Sequence, residues 1–171
     1  MHSVSRELTL QDLAALFEGR TRFVERLAGR LAVGGGAAAA GATTGAARPD
    51  PFAEARTLLR ELPESEQLEA LNAHPAIGAP RMSPISAREQ GSDDDPHVLA
   101  ELDRLNHAYE EKFGFRFVVF VNRRPKAEIL GVLRRRISRT REEELTTALD
   151  EFVSIAEDRY RRRVEERPTA G

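Results

Sequence analysis

Residues 140–160 of the chain, TREEELTTALDEFVSIAEDRY, carry the clearest helix signal in the sequence. Thr140 and Glu143 have the spacing of a capping box, in which each side chain satisfies a backbone N–H at the start of a helix. The apolar residues that follow repeat at helical spacing and share one face: Leu145, Leu149, Phe152, Ile155 and Tyr160. The segment therefore predicts a long amphipathic helix.

The same signals continue towards the N-terminus from this helix. Pro125 predicts the start of a preceding helix, which turns Ile129, Leu130, Leu133 and Ile137 inward. Before it, an apolar stripe at helical spacing predicts another helix and comprises Leu99, Leu102, Leu105, Tyr109 and Phe113. Gly114 follows the stripe, and glycine is typical of the position where a helix ends.

The N-terminal half predicts four more helices. Thr9 with Asp12 is a cap for the first, Asp50-Pro51 starts the third, and Ser65 is the expected cap of a short fourth helix that ends near His74. The second helix is indicated by Phe23, Leu27 and Leu31, and the third by Phe52, Ala55, Leu58, Leu59 and Leu62.

Phe115 to Val121 is the only strong strand-like run, because it is rich in aromatic and β-branched residues. A lone strand has no sheet to join, so we expect an extended segment packed between helices. The predicted fold is an all-α bundle of seven or more helices with one extended segment near residues 115–121.

Length and composition narrow the protein class. With 171 residues, the chain 1–171 suits a single domain, and the Gly/Ala-rich stretch at about 34–47 predicts a flexible loop, although its alanines could be partly helical. The absence of cysteine excludes disulfides, thiolate metal sites and a cysteine nucleophile. A net charge of −2, no long apolar run and no secretory signal predict a cytoplasmic protein without a membrane or nucleic-acid partner.

The stretch Asn72 to Gln90, NAHPAIGAPRMSPISAREQ, gathers an imidazole, a hydroxyl, a carboxylate and a carboxamide. His74 could merely sit at a helix C-terminus, where the dipole favours it, but Pro75 also restricts its backbone and aims the ring as an acid/base requires. Ser86 and Glu89 have capping-box spacing, and on spacing alone that structural role is favoured for Glu89.

Arg141 falls in the first turn of its helix, where a cation is unfavourable unless it serves an anion site with the free N–H groups. On sequence alone, a solvated arginine paired with Glu142 or Glu144 is the more common arrangement. The arginine runs 134–136 and 161–163 lie beside many glutamates, so they predict solvated faces rather than a nucleic-acid surface.

Three motifs in order resemble the 2-oxo-4-hydroxy-4-carboxy-5-ureidoimidazoline (OHCU) decarboxylases of urate breakdown. They are His74-Pro75 with Ser-x-x-Glu-Gln at 86–90, the run LNHAYEEKFGFRFVVFV at 105–121 followed by KAEIL, and REEELTTALDEFVSI at 141–155. The resemblance implies an all-α fold, conversion of OHCU to (S)-allantoin with release of carbon dioxide, and a homodimer. Composition argues against a metal or an obvious cofactor, because the chain has four histidines, two lysines, no cysteine and no dinucleotide fingerprint.

The resemblance also implies roles for particular residues. His74 would be the acid/base, Glu89 its partner and Arg141 the anchor of the substrate carboxylate, with Arg139 as an alternative for that anchor. Pro75, Ser86 and Gln90 would shape the pocket, and the backbone of the extended segment, including Phe117, Val119 and Val121, would hold the substrate ring. Two other hypotheses remain open: a helical binding module without turnover, and a related enzyme for another ureido acid.

Overall fold

The computed structural model describes residues 8–36, 50–78, 84–90 and 95–166, without the side chains of 34–36, 86, 89 and 90. These residues form eight helices: α1 Leu10–Leu16, α2 Arg22–Gly36, α3 Pro51–Glu61, α4 Glu64–Ala73, α5 Pro84–Gln90, α6 Pro96–Phe113, α7 Lys126–Arg136 and α8 Arg141–Glu165. The described ranges contain no β-strand, so the predicted all-α class is confirmed.

Several helix starts follow the side-chain chemistry that the sequence predicted. Thr9 with Asp12 and Thr140 with Glu143 both form complete capping boxes. Asp50 accepts a hydrogen bond from the N–H of Phe52, and Pro51 occupies the first turn of α3. Gly114 ends α6 in the left-handed conformation with φ of 79°, which costs glycine no steric strain.

The long helix α8 organises the core, because it packs against α1, α3 and α4. Its Phe152 meets Phe17 and Phe23 in an aromatic cluster with ring centroids 5.1 to 5.8 Å apart. The helices α6 and α7 pack against each other. None of the described helices is long and apolar enough to cross a membrane.

The extended segment 115–121 lies between helices, as predicted, and most of its side chains are buried. Behind it is a buried polar network. Arg136 donates to the carbonyl of Val118 at 3.0 Å and to Glu144 at 2.9 Å, and the hydroxyl of Tyr109 donates to the same carboxylate at 2.6 Å. Burial and this hydrogen bond raise the pKa of Tyr109, so the phenol stays protonated as the donor.

Three local predictions need correction. Arg136 is not part of a solvated face, because it is 4 % exposed and paired with the fully buried Glu144. Ser65 is not a cap: α4 begins at Glu64 after Pro63, with no side-chain cap. The backbone of Gly34 to Gly36 continues α2, and the rest of the predicted Gly/Ala loop lies outside the described residues.

Candidate active site

His74 caps the C-terminal end of α4, with backbone angles in the extended region as its neighbour Pro75 requires. Its N–H donates to the carbonyl of Leu71 at 3.2 Å, and its own carbonyl accepts from Arg116 at 2.7 Å. The backbone of His74 is therefore held from both sides, which fixes the direction in which its side chain leaves the chain.

The imidazole of His74 is buried, with a residue exposure of 8 %. Its ring meets the edge of Phe152 at a centroid distance of 6.1 Å, and its buried Nδ1 has no hydrogen-bond partner among the described residues. Burial lowers the pKa of His74 to about 4; the positive charges of Arg159 and Arg116 act in the same direction, and Glu18 opposes them. Near neutral pH the ring is uncharged and can accept a proton.

A pocket of about 360 Å³, including its open mouth, adjoins this ring. Its wall is formed by the end of the extended segment, the turn that follows it and one face of α8: His74, Ile77, Val119, Phe120, Val121, Asn122, Arg123, Ile155, Asp158 and Arg162. Asp158 and Arg162 pair with each other at 2.7 Å on its rim. A larger groove of about 630 Å³ between α3, α4 and α8 contains no histidine, so the chemistry favours the smaller pocket.

Along one edge of the extended segment, side chains from other elements make the hydrogen bonds that a neighbouring strand would make in a sheet. The peptide groups of Arg116, Val118 and Phe120 are bonded to Asn72, Arg136 and Glu151, and the carbonyl of Phe120 also accepts from Arg124 at 2.6 Å. Alternate peptide groups of an extended chain point to opposite edges.

On the other edge, the peptide groups of Phe117 and Val119 make no hydrogen bond to any described residue. Val119 also lines the pocket. This edge therefore offers an N–H donor next to a C=O acceptor, and an amide or ureido group can hydrogen-bond to both.

Arg159 is the buried cation near His74, and its side chain is only 2 % exposed. Its Nη1 donates to the carbonyl of Leu16 at 3.0 Å, and its Nη2 lies 3.1 Å from a carboxylate oxygen of Glu18. Phe152, Ile155 and Arg159 follow one another at helical spacing on the inner face of α8. The sequence contained this signal, since an arginine falls within the apolar stripe of that helix.

Two residues with strained backbone lie at the wall of the same pocket, and a third contacts Arg159. Glu18, Asn122 and Arg123 are the non-glycine residues with positive φ in the described chain. Asn122 and Arg123 form a tight turn at the pocket wall, closed by the N–H of Arg124 on the carbonyl of Val121 at 3.0 Å. Such strain costs of the order of 1–3 kcal/mol per residue and clusters at functional sites.

Arg141, to which the family resemblance assigned the substrate carboxylate, lies elsewhere. Its guanidinium pairs with Glu64 at 2.8 and 3.2 Å and donates to the carbonyl of Phe113 at 3.0 Å. Glu64 begins α4 and His74 follows its end, which separates them by about 15 Å along the helix. Arg139 contacts Glu144 and Thr147, so neither of the two arginines lies beside His74.

The other predicted residues fall into three groups. Pro75 adjoins His74, and Val119 and Val121 line the pocket. Phe117 instead packs against Tyr109 and under the guanidinium of Arg136, 4.8 Å from its ring centroid. Ser86, Glu89 and Gln90 lie on α5, and their side chains are outside the described set. Because α5 begins at Pro84, Ser86 is its third residue and not its cap.

Comparison with known proteins gives a consistent result. Residues 2–161 match the family model described as OHCU decarboxylase. The OHCU decarboxylase of Haloferax volcanii is 37% identical over 110 residues, which are 57% of this chain and 61% of that protein. The corresponding protein of Halalkalicoccus jeotgali is 33% identical over 103 residues, 57% of this chain and 58% of its own length. The match thus spans about three fifths of each relative.

Solved structures share the fold. A crystal structure of OHCU decarboxylase in the presence of (S)-allantoin superposes with a TM-score of 0.63 at 23% identity, covering 84% of this chain and 91% of the other. A crystal structure of (S)-allantoin synthase gives a TM-score of 0.59 at 23% identity, covering 88% of this chain and 52% of the other.

Proposed function

The chain belongs to the OHCU decarboxylase family, and from that premise we propose that it decarboxylates OHCU to (S)-allantoin in urate breakdown. One observation carries the proposal: a buried, neutral imidazole lies beside a pocket lined by Val119, whose peptide groups make no hydrogen bond to any described residue, and the buried Arg159 is nearby. These three groups match the acid/base chemistry, the ring amides and the carboxylate of such a substrate.

In this mechanism Arg159, rather than Arg141, provides the positive charge for the carboxylate. Its charge reaches His74, whose pKa it lowers, whereas Arg141 pairs with Glu64 at the opposite end of α4 from His74. The peptide groups of Phe117 and Val119 hold the ring and ureido amides. Pro75, Ser86 and Gln90 shape the remainder of the pocket.

The chemical step breaks the bond between the ring carbon and the carboxylate, and carbon dioxide leaves. The electron pair stays on the substrate, where the adjoining C=N and C=O groups delocalise it, so the protein supplies orientation and proton transfer. His74 takes the proton of the hydroxyl group as that carbon becomes a carbonyl and returns it to one face of the carbon that carries the ureido group, with Glu89 as its partner, while the ring nitrogen takes one proton from water. Delivery to one face yields one enantiomer.

The test uses OHCU generated freshly by oxidising urate in the cuvette. We expect added protein to speed the loss of OHCU absorbance and to produce an optically active product, whereas spontaneous decay gives a racemate. His74→Asn is the matched control. A racemate formed at the uncatalysed rate would refute catalysis, and allantoin binding without turnover would identify a binding module instead. Faster turnover of another ureido acid would identify a related enzyme.

The proposal includes a homodimer, as the family resemblance implies, and a cytoplasmic location, as the composition predicts. Light scattering coupled to size-exclusion chromatography gives the mass directly, and a mass near the 19.0 kDa of one chain would contradict the dimer.

A further inference from the structure

Glu18 follows the end of α1, in the turn that leads to α2, and has a left-handed backbone with φ of 59°. This turn brings two acceptors to the guanidinium of Arg159: the carbonyl of Leu16 at 3.0 Å and the carboxylate of Glu18 at 3.1 Å. The two contacts involve different terminal nitrogens of Arg159, so together they fix the plane of the guanidinium.

The conformation of Glu18 is unfavourable in itself. A glutamate rarely adopts the left-handed region, and glycine adopts it freely. Strain of this kind persists where the surrounding structure requires the side chain. Here the side chain is 12 % exposed and faces an arginine that is 2 % exposed, and burying that arginine without a counter-charge would be costly.

We propose that Glu18 is a positioning residue, which holds the Arg159 guanidinium in the orientation that receives the substrate carboxylate beside His74. The inference rests on the proposed function, because it assigns Glu18 a role through Arg159. A planar guanidinium binds a carboxylate through two parallel N–H bonds only when its plane is correctly oriented. Glu18 supplies that orientation from a different part of the chain.

The decisive variant is Glu18→Gly. Glycine adopts the left-handed backbone without strain, so the turn is kept while the carboxylate is lost. We expect kcat/KM to fall about tenfold to a hundredfold, mainly through a higher KM, because misplacing a positioned group by about 1 Å has effects of this size. The single variant Glu18→Gln keeps an oxygen acceptor for Arg159, so its kcat/KM should stay within about threefold of the wild type.

Two controls separate positioning from general stability. Glu61→Ala removes another ion pair, with Arg30 on the neighbouring helix, and should leave both kinetic constants unchanged. Combining Glu18→Gly with Arg159→Lys should cost no more activity than Arg159→Lys alone, because the proposed effect of Glu18 on substrate binding passes through that arginine. If Glu18→Gly does not fold, Glu18→Asn is the second variant, since asparagine tolerates the same backbone and is too short to make the contact.

The outcomes are distinguishable. An active wild type with unchanged kcat/KM in Glu18→Gly, or fully additive losses in the double variant, would overturn the inference and leave the function intact. An inactive wild type would refute the function alone, and the orientation is then read from the NMR signals of the Arg159 guanidinium. Separate, slowly exchanging N–H signals that collapse in Glu18→Gly support positioning, and identical signals in both proteins overturn it.

Discussion

Replacing His74 by asparagine should make the stability of the protein less sensitive to acid. Burial, followed by the charge of Arg159, lowers the pKa of His74 from 6.5 to about 4 in the folded protein. Between these two values the unfolded chain binds a proton that the folded chain does not, so stability falls as the pH decreases through this window. Above the pKa of the unfolded chain, His74 is neutral in both states and does not change the free energy of unfolding.

The size of the effect follows from the same shift. At about pH 5 the unfolded histidine is almost fully protonated and the folded one almost fully neutral, which lowers the free energy of unfolding by about 2 kcal/mol relative to about pH 7.5. Asparagine does not titrate, so His74→Asn should lack this contribution, whatever its effect on stability at neutral pH.

Urea unfolding of both proteins at the two pH values provides the measurement. The loss between about pH 7.5 and pH 5 should be larger in the wild type by about 2 kcal/mol, and the other histidines cancel because both proteins contain them. Equal losses in the two proteins, or a larger loss in the variant, would refute the buried neutral imidazole. An NMR titration of the His74 ring gives the same pKa independently.

Three further outcomes test the site. Arg159→Lys should lower kcat/KM about a hundredfold in steady-state kinetics. Arg141→Lys should leave kcat/KM near the wild type and change stability by under about 1 kcal/mol. The opposite ranking of the two variants would return the carboxylate anchor to Arg141. Glu89→Gln should fold normally, as shown by circular dichroism, yet lose on the order of 10²-fold in turnover, and unimpaired turnover would remove it from the mechanism. Glu151→Ala frees the N–H of Phe120 and should raise KM more than it lowers kcat, so an unchanged KM would show that this anchor does not position the segment.

Much of the fold was predictable because its signals are local. Caps such as Thr140 with Glu143 and the stop at Gly114 depend on residues within a turn of one another. The prediction for Ser65 was wrong for the same reason, since Pro63 and Ser65 are both acceptable near a helix start and local chemistry does not rank them.

The arginines show where local reasoning stops. Arg136 and its neighbours have the same sequence character, yet Arg136 is buried against Glu144 while Arg134 and Arg135 are exposed. Arg141 has the helix position of an anion site but is paired with a glutamate 77 residues away. Long-range pairing of charges depends on which helix ends meet, and that is settled only when the bundle is packed.

By itself, the sequence determined most of the helices, several of their caps, the extended segment and the special position of His74, because periodicity, capping and a following proline act over a few residues. Tertiary structure alone decided which arginine lies near His74, that the ring is buried and neutral, and that the peptide groups on one edge of the extended segment make no hydrogen bond to any described residue. Each of these depends on how the helices and the extended segment pack against one another. Burial and charge pairing are properties of that packing, and no single segment of the chain encodes them.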